Sequence, residues 1–222
     1  MDGNESRPGL VGNRMVLIGA VLYLLEWVAI IATGIAVPVG ADASRADLMA
    51  AYSGHEDALG WAAGWFSVVL LGRILLVTGL RTAFADSGRR QPLMDLAVAA
   101  MAVGVALEIA SYAMAAGGSW LVANDGTFGQ VRGLDGAALA VNGMLWGPTG
   151  VAVLCCGIAM WRAALFPRVL AALALLPGGL LALVGLALQS PRFADLADAL
   201  STGALVMWVW MIWTGVIVWR AK

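Results

Sequence analysis

The sequence has few charged side chains, which excludes a soluble globular domain. Only 12% of its 222 residues are charged, whereas 61% are hydrophobic. A soluble domain has about a quarter charged residues and about half apolar ones. The 13 basic and 14 acidic side chains leave a net charge of −1, which gives no reason to expect a nucleic-acid partner. The composition therefore predicts an integral membrane protein whose main partner is the lipid bilayer.

Residues that bind metals and cofactors are also scarce. His55 is the single histidine, which excludes haem ligation by two histidines. Cys155 and Cys156 are adjacent within an apolar run, match no metal-binding spacing, and are interpreted as small buried side chains. No phosphate loop, nucleophile elbow or zinc-protease motif occurs. We therefore expect no metal and no cofactor.

Six stretches are long and apolar enough to cross a bilayer, which takes about 20 mostly apolar residues. They predict an all-α polytopic membrane protein with six transmembrane helices in one bundle. The predicted spans cover about residues 15–38, 59–84, 94–116, 136–161, 168–189 and 197–219. Residues 1–14 then form an N-terminal segment, 15–219 the transmembrane domain and 220–222 a short tail.

The distribution of loop charge predicts the orientation. With both termini cytoplasmic, nine basic residues fall on the inner side and three on the outer side. The inner ones are Arg7, Arg14, Arg81, Arg89, Arg90, Arg162, Arg168, Arg220 and Lys222, and the outer ones are Arg45, Arg132 and Arg192. This positive-inside bias predicts that both termini lie on the cytoplasmic side. The 12 Arg against one Lys, with heavy use of Ala, Gly and Val, are typical of a GC-rich bacterial genome and predict a bacterial cytoplasmic (inner) membrane protein. Eight acidic residues, Asp135 among them, fall in the outer loops.

The connections between spans carry further signals. Ser44 is expected to be the N-cap of a short surface helix that runs through Tyr52. Segment 117–136 is rich in glycine and Asn-Asp-Gly turn signals, so we predict an irregular outer loop. The inner segment "RAALFPR" predicts a tight turn, which makes the fourth and fifth spans an antiparallel hairpin. Pro177, Gly178 and Gly179 predict a kink or local opening of the fifth span.

Three charged residues lie near the middle of the first three spans: Glu26, Arg73 and Glu108. A charge at a helix centre costs about 2.5–3.5 kcal/mol on insertion, against about 0.3–0.6 kcal/mol gained per Leu, Ile, Phe or Val. The third span has few such apolar residues, so we expect Glu108 to need Arg73 as its partner. Two carboxylates that share one base carry a net negative charge, and we expect the cluster to hold a proton or receive a cation.

Several neighbours share helix faces with these charges. Tyr23 lies one turn from Glu26, and Tyr112 one turn from Glu108, so each tyrosine is expected to donate to its glutamate. Asn142, Trp146 and Thr149 line up on the fourth span beside small residues that permit close helix packing. The candidates for binding or proton handling are Glu26, Arg73, Glu108, Tyr23, Tyr112, Asn142 and Trp146.

Three segments resemble a known family: "VGNRMVLIGAVLYLLEWVAIIATG", "LFPRVLAALALLPGGLLALVGLAL" and "VMWVWMIWTGVIVWR". They are similar to the bacterial multi-span membrane family called domain of unknown function 4386, with its Pro-Arg turn before the penultimate span and its Trp-bearing last span. The sequence departs from the family at the start of the last span, where residues 204–206 lack an acidic side chain. The resemblance implies the same topology over nearly the whole chain. It implies no activity and no catalytic residues.

Three classes of function stay open. The first is binding or transport of a small amphiphilic or cationic ligand that enters the bundle and meets the three charges. The second is an intramembrane enzyme that uses a protonated glutamate as general acid on an isoprenoid-like substrate, with Trp208, Trp210 and Trp213 walling a cavity. The third is a structural or regulatory subunit of a membrane protein partner or homo-oligomer. We favour the first, because the predicted break in the fifth span and the buried charges both suit a ligand that enters the bundle, and ionisable residues inside a membrane are functional candidates by default.

Overall fold

The structure is a computed structural model of the chain, and it describes residues 10–34, 38–39, 42–187 and 203–221. The described residues form helices joined by short connections, with no β-strand among them. The helices in chain order are α1 (Arg14–Leu24), α2 (Glu26–Thr33), α3 (Arg45–Tyr52), α4 (Glu56–Val69), α5 (Leu71–Asp86), α6 (Leu93–Ala123), α7 (Phe128–Ala163), α8 (Arg168–Ala187) and α9 (Gly203–Arg220).

Six helical segments of the described chain are long and apolar enough to cross a membrane, the number that the sequence predicts. The first combines α1 with α2, the second combines α4 with α5, and α6 to α9 supply one each. The first span ends at Thr33 rather than at 38, because Gly34 takes a left-handed conformation (φ 61°) that ends the helix. The predicted stretches 188–189 and 197–202 lie outside the described residues.

Each span packs mainly on its neighbours in the sequence, and the sixth also packs on the first. Thus α5 contacts α1 and α6, α7 contacts α6 and α8, and α9 contacts α8 and α1. The six spans therefore form a closed ring around a large apolar core, and a second, smaller apolar cluster lies under α3. Gly12 lies against Ala221, so both ends of the described chain lie at one end of the ring. We call this the terminal end and the opposite one the distal end.

Glycines form the seam of the predicted hairpin between α7 and α8. A Cβ added to Gly150 would overlap the backbone of Ala182, and one added to Gly178 would overlap the backbone of Leu154. Missing side chains here let the two backbones approach closely. Because α8 stays helical from Arg168 to Ala187 through Pro177, the local opening predicted in the fifth span is not present.

The short helix predicted after Ser44 is α3, at the distal end. The Ser44 hydroxyl accepts a hydrogen bond from the Asp47 amide (3.2 Å), as an N-cap does. However, α3 is docked on the bundle rather than lying free on its surface, since Leu48 and Tyr52 are fully buried.

Segment 117–136 is helical over most of its length, so the irregular loop predicted there is wrong. Helix α6 runs on to Ala123, and α7 begins at Phe128 with a capping box formed by Thr127 and Gln130. Packing overrides the low helix propensity of glycine here, because Gly118 lies against the ring of Tyr52. Helices α6 and α7 have 31 and 36 residues. At about 1.5 Å per residue, both are longer than the roughly 30 Å thickness of a hydrocarbon core, and their extra length supports α3.

Candidate functional site

The approach of α1 to α5 sets the position of the first site residues. A Cβ on Gly72 would lie 2.5 Å from the Gly19 carbonyl oxygen and 2.6 Å from the Tyr23 amide nitrogen, so the two backbones touch. This contact places the guanidinium of Arg73 over the ring of Tyr23, at 4.7 Å from its centroid. A cation at this distance from an aromatic face is attracted by the ring quadrupole.

Arg73 forms an ion pair with Glu108 across the α5–α6 interface, through Nη2 and Oε2. The pairing expected for the third span is therefore present. Both side chains are buried, with Arg73 1% and Glu108 6% exposed. In a low-dielectric interior such a pair stays intact because an unpaired charge there is strongly unfavourable.

Glu26 is the third charge of the group, and its position differs from that of Glu108. Its side chain is buried, the Tyr23 hydroxyl is positioned to hydrogen-bond it, and Arg73 acts on it through space. It forms no ion pair with any residue that the structure describes, and its Oε2 has no hydrogen-bond partner there. We call Glu26, Arg73 and Glu108 the mid-bundle cluster. With both acids ionised, this cluster has one negative charge in excess.

Aromatic side chains surround the mid-bundle cluster. Trp208 of α9 donates its indole N–H to the Tyr23 hydroxyl (3.3 Å), and Trp27 packs edge-on against Trp208 (ring centroids 5.1 Å apart). Tyr112 stacks on Phe66 (3.9 Å) and lies within electrostatic range of Glu26 and Tyr23. The predicted hydrogen bond from Tyr112 to Glu108 is not formed among the described contacts, in which the Tyr112 ring stacks on Phe66.

Two helix interruptions lie next to the cluster. Leu25 separates α1 from α2 immediately before Glu26, and its carbonyl oxygen accepts a hydrogen bond from the Trp65 indole (2.7 Å). Leu70 separates α4 from α5, and there the Arg73 amide bonds to the Leu70 carbonyl three residues back (3.2 Å). A side chain inserted into the helical ladder is a known cause of such a break. Tight turns of this kind inside a helix often mark functional positions.

Asn142 and Trp146 lie on the α7 side of the α6–α7 interface. The Asn142 amide donates to the Ser111 hydroxyl (3.5 Å), and Ser111 donates to the Ala138 carbonyl (3.0 Å). Trp146 is half-buried at the edge of the apolar core. The described hydrogen bonds and ring contacts join neither residue to Glu26 or Glu108, so neither is part of the mid-bundle cluster.

The three tryptophans of α9 do not form one wall. Trp210 is fully buried in the core, whereas Trp213 is 40% exposed and Trp208 contacts Tyr23. Trp208 and Trp213 line a shallow apolar groove on the outside of the bundle. The prediction that the three tryptophans wall one cavity is therefore wrong, because Trp210 lies on a different face of the helix. Only Trp208 reaches the mid-bundle cluster.

A second buried acidic group at the distal end was missed by sequence reasoning. Asp135 is buried, and its Oδ1 accepts hydrogen bonds from the Tyr52 hydroxyl (2.6 Å) and the Val39 amide (2.9 Å). Ser119 in turn donates to the Tyr52 carbonyl (2.8 Å). We call Tyr52, Ser119 and Asp135 the distal cluster. No sequence signal separates Asp135 from the other acids of the outer segments.

Comparison of this chain with protein families, curated proteins and solved structures finds no match. The resemblance to domain of unknown function 4386 therefore stays a prediction, and the site is interpreted from its own geometry.

Proposed function

We propose that the mid-bundle cluster binds a small cationic or amphiphilic molecule, with Glu26 as its counter-ion. The observation that carries the proposal is the buried carboxylate of Glu26, which has one oxygen without a hydrogen-bond partner in the described structure. Buried charges are normally paired and hydrogen-bonded, because removal from water is otherwise too costly. A bound cation would supply the missing partner.

The division of charge supports this role for Glu26 rather than for Glu108. Arg73 is already in contact with Glu108, so the pair is close to neutral and serves to join α5 to α6. Glu26 then carries the excess negative charge of the cluster. Tyr23 and Tyr112 lie within electrostatic range of it, and the ring faces that Arg73 and Phe66 do not cover can attract an organic cation.

The interrupted first span supports the same proposal. Glu26 is the first residue of α2, directly after the break at Leu25. In membrane transport proteins, interrupted helices bring backbone groups and side chains to a binding site near the middle of the bilayer. At this interruption the Trp65 indole of the second span donates a hydrogen bond to the Leu25 carbonyl oxygen, while Leu25 keeps right-handed helical backbone angles.

We also propose that the terminal end faces the cytoplasm of a bacterial cell and that the protein resides in the inner membrane. The support is the concentration of basic residues at this end, among them Arg14, Arg81 and Arg168.

Native mass spectrometry of the protein in a mild detergent tests the binding proposal. We expect the wild type to carry a small molecule, or to take up added tetraphenylphosphonium, a lipophilic cation. Glu26→Gln should lose this binding, because a neutral amide keeps the shape of the carboxylate without its charge. Asp57→Asn is the matched control, since it removes an exposed acid at the distal end and should bind as the wild type does. Equal binding by Glu26→Gln and wild type would contradict the proposal.

A further inference from the structure

An apolar groove runs along the outer face of α1, toward the terminal end. Six residues line it: Leu17, Ile18, Val21, Leu22, Leu25 and Trp219. At about 1.5 Å per residue, Leu17 to Leu25 covers roughly 12 Å, which is most of the depth of one leaflet of a bilayer with a hydrocarbon core of about 30 Å. The groove therefore has the length and polarity of a lipid acyl chain.

The side chain of Arg14 lies near the end of this groove that is closest to the terminal end of the bundle. The guanidinium of Arg14 lies 5.3 Å from the ring centroid of Trp219, which itself lines the groove. Arg14 also shares a helix face with Ile18 and Leu22 at four-residue spacing. Among the residues that the structure describes, Arg14 has no acidic partner. Its charge is thus available to an anion at the membrane surface.

We propose that this surface is a retention site for one anionic phospholipid. The phosphate would bind Arg14 at the level of the headgroups, where Trp219 also lies, and one acyl chain would fill the groove as far as Leu25. The chemistry of the site matches the ligand at both ends, because a basic residue near the surface attracts anionic lipid and an apolar groove accepts the chain. This site is independent of the ligand proposed for Glu26.

The chain offers a matched control for the headgroup contact. Arg168 lies 5.4 Å from the ring centroid of Trp161, so it forms the same kind of arginine–tryptophan pair. Both arginines are exposed at the terminal end, but neither Arg168 nor Trp161 lines the α1 groove. A lipid held by surface charge alone would use both pairs equally, whereas a lipid held by the groove needs only Arg14.

The test is native mass spectrometry of the full chain in detergent with equal amounts of phosphatidylglycerol and phosphatidylcholine that carry identical acyl chains. We expect the wild type to retain one phosphatidylglycerol in preference to phosphatidylcholine. Arg14→Gln should lower this retention about fivefold, the effect of one basic residue near an anionic lipid, and Arg168→Gln should leave it unchanged. Equal losses in the two variants, or no preference in the wild type, would overturn the proposal.

A second pair of variants tests the groove without altering charge. Val21 in the groove and Val28 outside it are exposed to similar extents, 47% and 46%. Val21→Trp should fill the groove and reduce retention of phosphatidylglycerol, while Val28→Trp should not. A protein dimer in the wild type that Val21→Trp abolishes would assign the groove to a second copy of the chain and overturn the lipid proposal.

Discussion

The described residues contain two buried acidic clusters, and the partners of their carboxylates differ in charge. In the distal cluster, Asp135 accepts hydrogen bonds from two neutral donors, a phenol and a backbone amide. In the mid-bundle cluster, Glu108 is held by the guanidinium of Arg73. The first arrangement links three separate parts of the chain at the distal end, whereas the second neutralises a charge within two apolar helical segments.

This difference shows that burial of an acidic side chain does not by itself identify it as a functional residue. Asp135 and Glu108 each have a partner that fastens one helix to another, a pair of neutral donors for Oδ1 of Asp135 and the Arg73 guanidinium for Glu108. Oδ2 of Asp135, like Oε2 of Glu26, is buried without a hydrogen-bond partner in the described structure, so an unpartnered oxygen alone does not separate the two acids. Glu26 is as deeply buried as Glu108, but it has no basic contact among the described residues. The residue whose partners fail to account for its burial is the better candidate for binding.

The largest effect is expected from breaking the Arg73–Glu108 ion pair. Arg73→Met and Glu108→Leu, made separately, should each lower the free energy of unfolding by about 3–5 kcal/mol, because the remaining charge is buried without a partner. The double variant should regain most of the loss, since it buries two apolar side chains instead. Thermal unfolding in detergent measures all three. If the double variant is no more stable than the single variants, the loss of stability does not come from leaving one charge of the pair buried without its partner.

A smaller effect is expected from moving the first span away from the cluster. Gly72→Ala places a methyl group against the backbone of α1, and such overpacking costs about 1–3 kcal/mol. It should also weaken binding at Glu26, because Tyr23 is displaced from Arg73. The control is Gly64→Ala, since Gly64 has open space around its Cβ position and lies in a helix that alanine favours. Equal stability of the two variants would contradict the close approach.

The smallest effect, confined to the distal end, is expected from Tyr52→Phe. It removes one donor from Asp135 and should cost about 1–2 kcal/mol. Burial and the hydrogen bond to Asp135 raise the pKa of Tyr52 above its usual value near 10. The stabilisation is therefore complete below about pH 10 and is lost as the pH rises further, because the unfolded phenol ionises first. Proteolysis of segment 42–55 measures this effect. In the wild type, cleavage should become faster as the pH rises above 10, whereas in Tyr52→Phe it should be faster than in the wild type already below pH 10. Identical cleavage profiles of the two proteins would contradict the prediction.

The spans, α3 and the Arg73–Glu108 pair could be predicted because each rests on a strong local contrast. A charge in the middle of an apolar run, such as Glu26 or Glu108, stands out from its neighbours. Asp135 does not, because it occurs among many acids of the outer segments and becomes buried only when α3 docks.

The helix interruptions could not be predicted for a different reason. No proline or glycine stands at Leu25 or Leu70, and the hydrogen bond that holds the first break comes from Trp65 in another span. Conversely, Pro177 and Gly178 are residues typical of a helix break, but α8 remains helical there. Gly178 instead allows the backbone of α8 to pack closely against α7. In both cases, contacts between helices rather than the local sequence determine whether the helix is interrupted.

The most direct test of the central claim compares Glu26→Gln with Glu108→Gln by thermal unfolding in the same detergent without added ligand. If Glu108 is structural and Glu26 serves binding, Glu108→Gln should lower the midpoint by about 6 °C or more, because it leaves Arg73 unpaired. Glu26→Gln should leave the midpoint unchanged or raise it, since it removes a buried charge whose Oε2 has no partner in the described structure. A large drop for Glu26→Gln would show that Glu26 holds the helices together and would contradict its role as a counter-ion for a ligand.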